Sequence, residues 1–309
     1  MDKIKSYFEF ENSLIWKNVI AIVIFHALTI YTILTFPYRQ NKMLMLWAYI
    51  VAHISGLGVT AGVHRLWTHR AYKAKTPLRI FLALCYCTAG QNRIYEWVRD
   101  HRVHHKFSET TADPHNSSRG FWFSHVGWLM MKKHEDVYEQ GRKIDMSDIE
   151  NDKVVSFIDK HFTIMKIMCC FVIPVVIPVY LFNSPWKLTI LSQVLMRYPY
   201  VLNSTWSVNS FAHLWGYRSY NKSIGPAENL FVILLSGGEG FHNYHHAFPW
   251  DYKASEFAHT IFNPTTAWIN FFHKMNWAYD LKKASPEHIK KIAEKQGDGS
   301  WVDHYEKSY

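Results

Sequence analysis

Cysteine is scarce in this chain, with four in 309 residues. Cys85 and Cys87 form a Cys-x-Cys pair and Cys169 and Cys170 a Cys-Cys pair, all inside apolar stretches. That arrangement suits neither a disulfide framework nor a zinc knuckle, and reads as reduced filler. Acidic residues are also short: 25 Asp and Glu stand against 34 Lys and Arg, a formal net charge of +9. Such a surplus points to an anionic surface, a phosphorylated ligand or an acidic protein partner. Nucleic acid is not expected, because the cations share the chain with long apolar runs. The opening Met1-Asp2-Lys3-Ile4-Lys5-Ser6 lacks the charged, apolar and small-residue order of a cleaved signal peptide. No repeat or low-complexity linker interrupts the sequence.

Long hydrophobic runs are present instead. Four stretches are apolar over roughly the 20 residues that a bilayer-crossing helix needs: 19–36, 43–63, 164–182 and 188–206. Short polar links, Pro37 to Lys42 and Asn183 to Lys187, join them in pairs, which predicts two helical hairpins and leaves everything else on one side. That side holds most of the Lys and Arg, so it is expected to be the cytosol, although Arg39 and Lys42 weaken the charge asymmetry a little. The sequons at Asn116 and Asn221 then carry no meaning. Pro174 and Pro178 should kink the third span, as membrane helices tolerate. The runs 77–89 and 227–236 are too short to cross and read as interfacial or re-entrant helices. The tail 282–295 reads as a solvated charged helix. The expected fold is an all-α membrane protein: four transmembrane helices in two hairpins, with a cytosolic helical cap formed by 64–163 and 207–309, all in a single domain over 1–309.

The chain holds 19 histidines, and nine of them fall into four groups. His64 and His69 follow the second apolar span, and His213 follows the fourth, four residues after Asn209. His101, His104 and His105 form one His-x-x-His-His frame, and His242, His245 and His246 form another. Residues three and four apart share one face of a helix, so each frame is expected to act as a three-pronged metal grip. The wider spacing of His64 and His69 suits a helix end bending around a site. Nine imidazoles exceed what one ion needs and are enough for two. Neutral nitrogen donors suit Fe, Zn, Cu and Ni alike, and the Glu-x-x-His pattern of soluble di-iron bundles is missing here. The remaining histidines, including His26, His53, His125 and His161, read as satisfied polar residues or as partners behind the ligands.

The stretches TAGVHRLWTHRAYKA (60–74), EWVRDHRVHHKFSETTADPHN (96–116), GFWFSHVGWLMMKK (120–133), VNSFAHLWGY (208–217) and GGEGFHNYHHAFPWDY (237–252) resemble the membrane-bound acyl-CoA desaturases, specifically the delta-9, stearoyl-CoA type and its insect relatives. The resemblance implies a di-iron oxidoreductase that uses O2 to place a double bond in a fatty acyl-CoA chain, at delta-9 or at a shifted position such as delta-11. It would serve unsaturated fatty acid or pheromone-precursor biosynthesis. The ligands implied for the two irons are His64, His69, His101, His104, His105, His213, His242, His245 and His246, with Asn209 reaching one ion through a water. Asn18, Asn92, Arg99, Asp100, Lys132 and Lys133 match positions that hold the acyl-CoA head, and an Arg stands in many relatives where this chain has Lys132. Gln91, Trp97 and Thr205 match residues lining a bend in the acyl tunnel, and Trp206 is implied as a further substrate contact. Ala52 matches a position near the tunnel's far end where relatives can carry a bulky side chain, so a longer acyl chain is expected to fit.

The resemblance also implies an endoplasmic reticulum membrane setting with both termini cytosolic. Electrons would come from cytochrome b5 and its NADH-dependent reductase. The His-Pro-Gly-Gly signature of a fused cytochrome b5 is absent, so the donor is expected to be a separate protein. Two rivals remain at this stage. A membrane di-iron hydroxylase would share the histidines and yield an alcohol. A histidine-rich metal transporter would need ligands inside the spans, where only His26 and His53 lie.

Overall fold

The fold was obtained as a computed structural model that describes residues 12–257 and 263–302. Among these residues it is mostly helical, with one short antiparallel pair, Lys73–Ala74 against Ala278–Tyr279. Three helices are long and apolar enough to cross a membrane: α1 (Trp16–Thr35), α2 (Lys42–Thr68) and α5 (Phe162–Leu181). Their outward faces are bare hydrocarbon, as on α1, where Ile20, Val23, Ile24 and Leu34 are all exposed. Between α2 and α5 lie α3 (Thr76–Ala89), α4 (Ile94–Phe107) and a series of short helices. After α5 come α6 (186–214), α7 (Leu230–Ser236), α8 (His242–Ala247), α9 (Pro264–Lys274) and α10 (Pro286–Gln296). The chain termini themselves fall outside the described residues.

The fourth apolar run is helical, but its polar residues keep it out of the group of clearly membrane-crossing helices. Gln193 and Arg197 sit on it, both buried, within a wide turn over Gln193–Arg197. Arg197 has a structural reason to be there. A proline lacks the N–H that would bond the carbonyl four residues earlier, so Pro174 frees the carbonyl of Cys170 and Pro178 frees that of Pro174. Arg197 Nη2 donates to the Cys170 carbonyl, and Trp47 Nε1 of α2 donates to the Pro174 carbonyl at 2.9 Å. Each orphaned acceptor in α5 is thus met by a donor from a neighbouring helix, which is how proline persists in membrane helices. A wide turn over Ile167–Val172 precedes the prolines, and the helix runs on through both to Leu181.

Two glycines set the approach of α2 to the cap. A Cβ on Gly58 would stand 2.1 Å from the Tyr86 backbone nitrogen, so only glycine lets α2 and α3 touch main chain to main chain. Gly90, at φ +66°, ends α3 in the left-handed conformation that glycine accepts readily. Helix α3 is packed inward through Leu78, Leu82, Ala83, Tyr86 and Cys87. The other short apolar run differs from its expected extent, because residues 227–229 are not helical. Glu228 there is bridged to Tyr217 and Phe241, and α7 begins only at Leu230 behind the Asn229 side-chain cap.

Candidate metal centre

The C-terminal part of α2 winds in turns wider than an α-helix from Gly58 to Thr68, with the His69 N–H reaching the His64 carbonyl five residues back at 3.1 Å. That widening turns His64 and His69, five apart, onto one side, with ring centroids 4.8 Å apart. Helix α4 supplies His101, His104 and His105, the end of α6 supplies His213, and α8 supplies His242, His245 and His246.

All nine imidazoles converge, in two sets. His64, His69, His101, His105 and His245 form one, and His104, His213, His242 and His246 the other; within each, the candidate ligand atoms lie within 4.8 Å of one another. This corrects the expectation of one grip per frame. Each His-x-x-His-His frame is split: its first and last histidines, four apart, face one set, and the middle histidine faces the other. One helical turn separates i from i+4 by about 40°, whereas i+3 falls on the opposite flank, so a single helix can serve two ions at once.

The spacing fits metal binding. His64 Nε2 is 2.9 Å from His245 Nε2, which is 3.0 Å from His105 Nε2; in the other set, His242 Nε2 is 3.0 Å from His213 Nε2 and 3.2 Å from His246 Nε2. Imidazole nitrogens bound at about 2.1 Å and at right angles around one ion stand roughly 3.0 Å apart. The His69 Nε2 atom is buried with no hydrogen-bond partner, as a donor awaiting an ion would be. Burial, and then the neighbouring imidazoles, hold His101, His105, His245 and His246 well below the ordinary histidine range, which keeps their lone pairs free.

Each set has one imidazole oriented by a buried carboxylate. Glu239 Oε2 lies 2.7 Å from His64 Nδ1, and Asp113 Oδ1 lies 2.9 Å from His104 Nδ1. A proton held at Nδ1 leaves Nε2 bare and pointed inward. Burial alone would raise both carboxyls, but their partners win: the His104 imidazole and the Glu109 N–H bring Asp113 down to about 2, and the Arg65 guanidinium with the His64 hydrogen bond holds Glu239 well below the usual carboxylate range. Arg65 is itself buried, giving Nη2 to Glu239 Oε1 at 2.6 Å and Nη1 to the Tyr252 carbonyl and Thr266 Oγ1. His115 stands behind His104, with ring centroids 4.4 Å apart. Glu239, Asp113, Arg65 and His115 all lie in the stretches quoted above, yet spacing gave them no role; the one available signal was a carboxylate or cation next to the histidines in sequence.

A cavity of about 850 Å³ adjoins the centre, within the range of small-molecule sites. His64, His101, His242 and Asn209 line it, as do Asn18, Ala52, Gln91, Asn92, Trp97, Asp100, Thr205 and Trp206. Trp97 Nε1 donates to Gln91 Oε1 at 2.8 Å, and Gln91 Nε2 donates to Thr205 Oγ1 at 2.9 Å, so these three act as one hydrogen-bonded unit. Asn18 is turned away from ligand duty in part, its Nδ2 donating to the Leu129 carbonyl at 2.8 Å. Arg99, Lys132 and Lys133 do not line the cavity. Arg99 and Lys133 both grip Asp100, which does, whereas Lys132 is tied through its backbone N–H to the Ser13 carbonyl.

Known proteins share this arrangement in sequence. The family model described as "Fatty acid desaturase" matches residues 41–273. The chain is 51% identical over 94% of its length to an acyl-CoA delta-9 desaturase of Acheta domesticus, covering 81% of that protein. It is 50% identical to stearoyl-CoA desaturase 5 of Bos taurus and 47% identical to stearoyl-CoA desaturase of Homo sapiens, over 93% of this chain and 85% and 79% of theirs.

Proposed function

Because the chain belongs to the fatty acid desaturase family and is an acyl-CoA desaturase of membranes, we propose that its two histidine sets each hold one iron ion beside an acyl chain threaded through the adjoining cavity. The observation that carries this reading is the convergence of nine imidazoles in two sets, three of which, His64, His101 and His242, reach the wall of a largely apolar cavity. When bound, the irons supply the oxidising power for O2-dependent removal of two hydrogens from adjacent carbons. The chain's own part is to hold neutral imidazoles inward, to keep bulk water out and to fix the substrate. Asn209, on the cavity wall, would reach one of the ions through a water.

An unactivated methylene offers no polar handle, so position along the chain is set by the distance from an anchored head to a bend. Asn18, Asn92 and the Arg99–Asp100–Lys133 cluster, with Lys132 beside it, take the polyanionic CoA head. Gln91, Trp97 and Thr205 shape the bend, Trp206 forms a wall and Ala52 lies toward the distal end. Helices α1, α2, α5 and α6 make four spans with both termini on the cytosolic side of the endoplasmic reticulum. The charge of +9 favours a separate acidic donor, cytochrome b5 served by its NADH-dependent reductase.

Expression in yeast lacking its own desaturase, with chromatographic mapping of double bonds and iron analysis of the purified chain, tests this. New alkenes and about two irons per chain are expected from two closed donor sets. An alcohol in place of an alkene, or a chain that turns over with one ion, would sink it.

A further inference from the structure

Trp206, buried on α6, lines the cavity between Thr205 of the bend and Asn209. Two histidines outside both metal sets flank it, His26 at the cavity wall and His125 behind it. His26 of α1 lies against the indole with centroids 6.0 Å apart and planes 30° from parallel, and His125 meets it edge-on at 6.0 Å. An ionisable side chain on a membrane-crossing helix is a functional candidate by default, and His26 is one.

The two histidines are joined in a hydrogen-bonded chain whose polarity can be worked out. His26 Nδ1 faces the Ile22 carbonyl at 2.8 Å, so it carries the proton and Nε2 is bare. Asn203 Nδ2 donates to that Nε2 at 3.1 Å and to the Pro199 carbonyl at 2.8 Å, which fixes the amide's orientation. Asn203 Oδ1 must then accept from His125 Nε2–H at 3.1 Å, leaving His125 Nδ1 to accept from Ser210 Oγ at 2.8 Å. Both imidazoles are neutral in this arrangement, with the single Ser210 proton on the shorter contact to His125 Nδ1 and not on the Trp206 carbonyl 3.0 Å away. The chain ties α1, the 123–127 turn and α6 together around one indole.

We propose that His26 and His125 are positioning residues for Trp206: they fix the angle of its indole, hence the shape of the cavity wall beside the metal centre, and with it the carbon pair at which the double bond forms. This rests on reading the cavity as the acyl site. A methylene chain slides unless its walls hold it, so a wall that can tilt admits neighbouring registers.

The test expresses the intact chain, His26→Phe, His125→Phe and His26→Gln in yeast lacking its own desaturase. Double-bond positions in the products and iron per purified chain are measured. Both Phe variants keep the wild-type iron content, while the share of product unsaturated at a neighbouring position rises about tenfold, as the loss of one or two hydrogen bonds allows. His26→Gln, whose amide can donate to Ile22 and accept from Asn203, stays close to wild type. Unchanged positions in both Phe variants overturn the proposal. So does a Phe variant that loses iron or fails to accumulate, since a merely structural role predicts that. Alkene formed by the wild-type chain in the same cells upholds the acyl reading of the cavity, so failure of the variants falls on this inference alone.

Discussion

His105 and His246 lie ring over ring, with centroids 4.1 Å apart and planes 18° from parallel, although the first belongs to the set of five histidines and the second to the set of four. The two histidine sets therefore touch through packed imidazoles contributed by α4 and α8. Among the described residues no carboxylate bridges the two sets; Glu239 stands behind His64, and Asp113 behind His104.

Unequal donor numbers predict unequal losses. His104→Ala leaves three imidazoles in its set, whereas His101→Ala leaves four in the other. Iron measured on purified protein should fall toward about one ion per chain for His104→Ala and stay nearer two for His101→Ala, since donor number sets affinity. Turnover is expected to vanish in both. Equal iron loss would contradict the division into five and four.

Glu239 sits between His64 Nδ1 and the buried Arg65 guanidinium. Glu239→Gln leaves the guanidinium uncompensated, a loss of about 3–5 kcal/mol, and loosens the orientation of His64, worth about 10- to 100-fold in metal affinity. The double variant Arg65→Met with Glu239→Gln should recover most of the thermal stability in detergent without recovering iron affinity. Recovery of both would mean that Glu239 serves packing alone.

Sequence made the helices and the ligands legible because both depend on local spacing. Apolar runs of span length located α1, α2, α5 and the start of α6, and the clustered histidines marked every member of the two sets. What spacing could not reveal was partnership across the chain. Which histidine shares an ion with which depends on how α4 and α8 face each other, and a frame of three on one helix gave no hint that its middle member turns aside. Spacing gives Arg197 no role in its apolar run; its acceptor, the Cys170 carbonyl, comes from α5. Glu239 and Asp113 were plain carboxylates until His64 and His104 were brought to them.

Glu228 predicts a pH dependence of stability. It lies half-buried against the start of α8, accepting from the Tyr244 N–H at 2.7 Å, and the loss of surrounding water pushes its carboxyl up to about 8, with Glu256 adding to the rise. A carboxyl raised on folding binds its proton more tightly in the folded chain, so its contribution to stability is complete below the unfolded value of about 4.3 and is lost as pH climbs through about 8. Unfolding midpoints measured from pH 5 to 9 should decline for the wild type and flatten for Glu228→Gln. A midpoint that rises with pH in the wild type and is unaffected by the substitution would contradict the burial argument.

Ala52 predicts the reach of the cavity. It is 8% exposed, lines the cavity from α2 and stands one turn before Gly56, which also lines it and meets nothing within 4 Å of an added Cβ. Ala52→Tyr projects a ring into that open space. Chains long enough to need it must then retreat or fold back, at a cost of about 1–3 kcal/mol for each methylene displaced, so kcat/KM for the longest accepted acyl-CoA should fall about 10- to 200-fold per carbon while shorter ones are spared. Iron content should not change, because Ala52 lies three turns of helix from His64 and belongs to neither histidine set. Competition between acyl-CoAs of different length, read out by the chain lengths of the alkenes formed, measures this directly. An Ala52→Tyr enzyme with wild-type iron and an unaltered length profile would show that the acyl chain does not extend toward this part of α2.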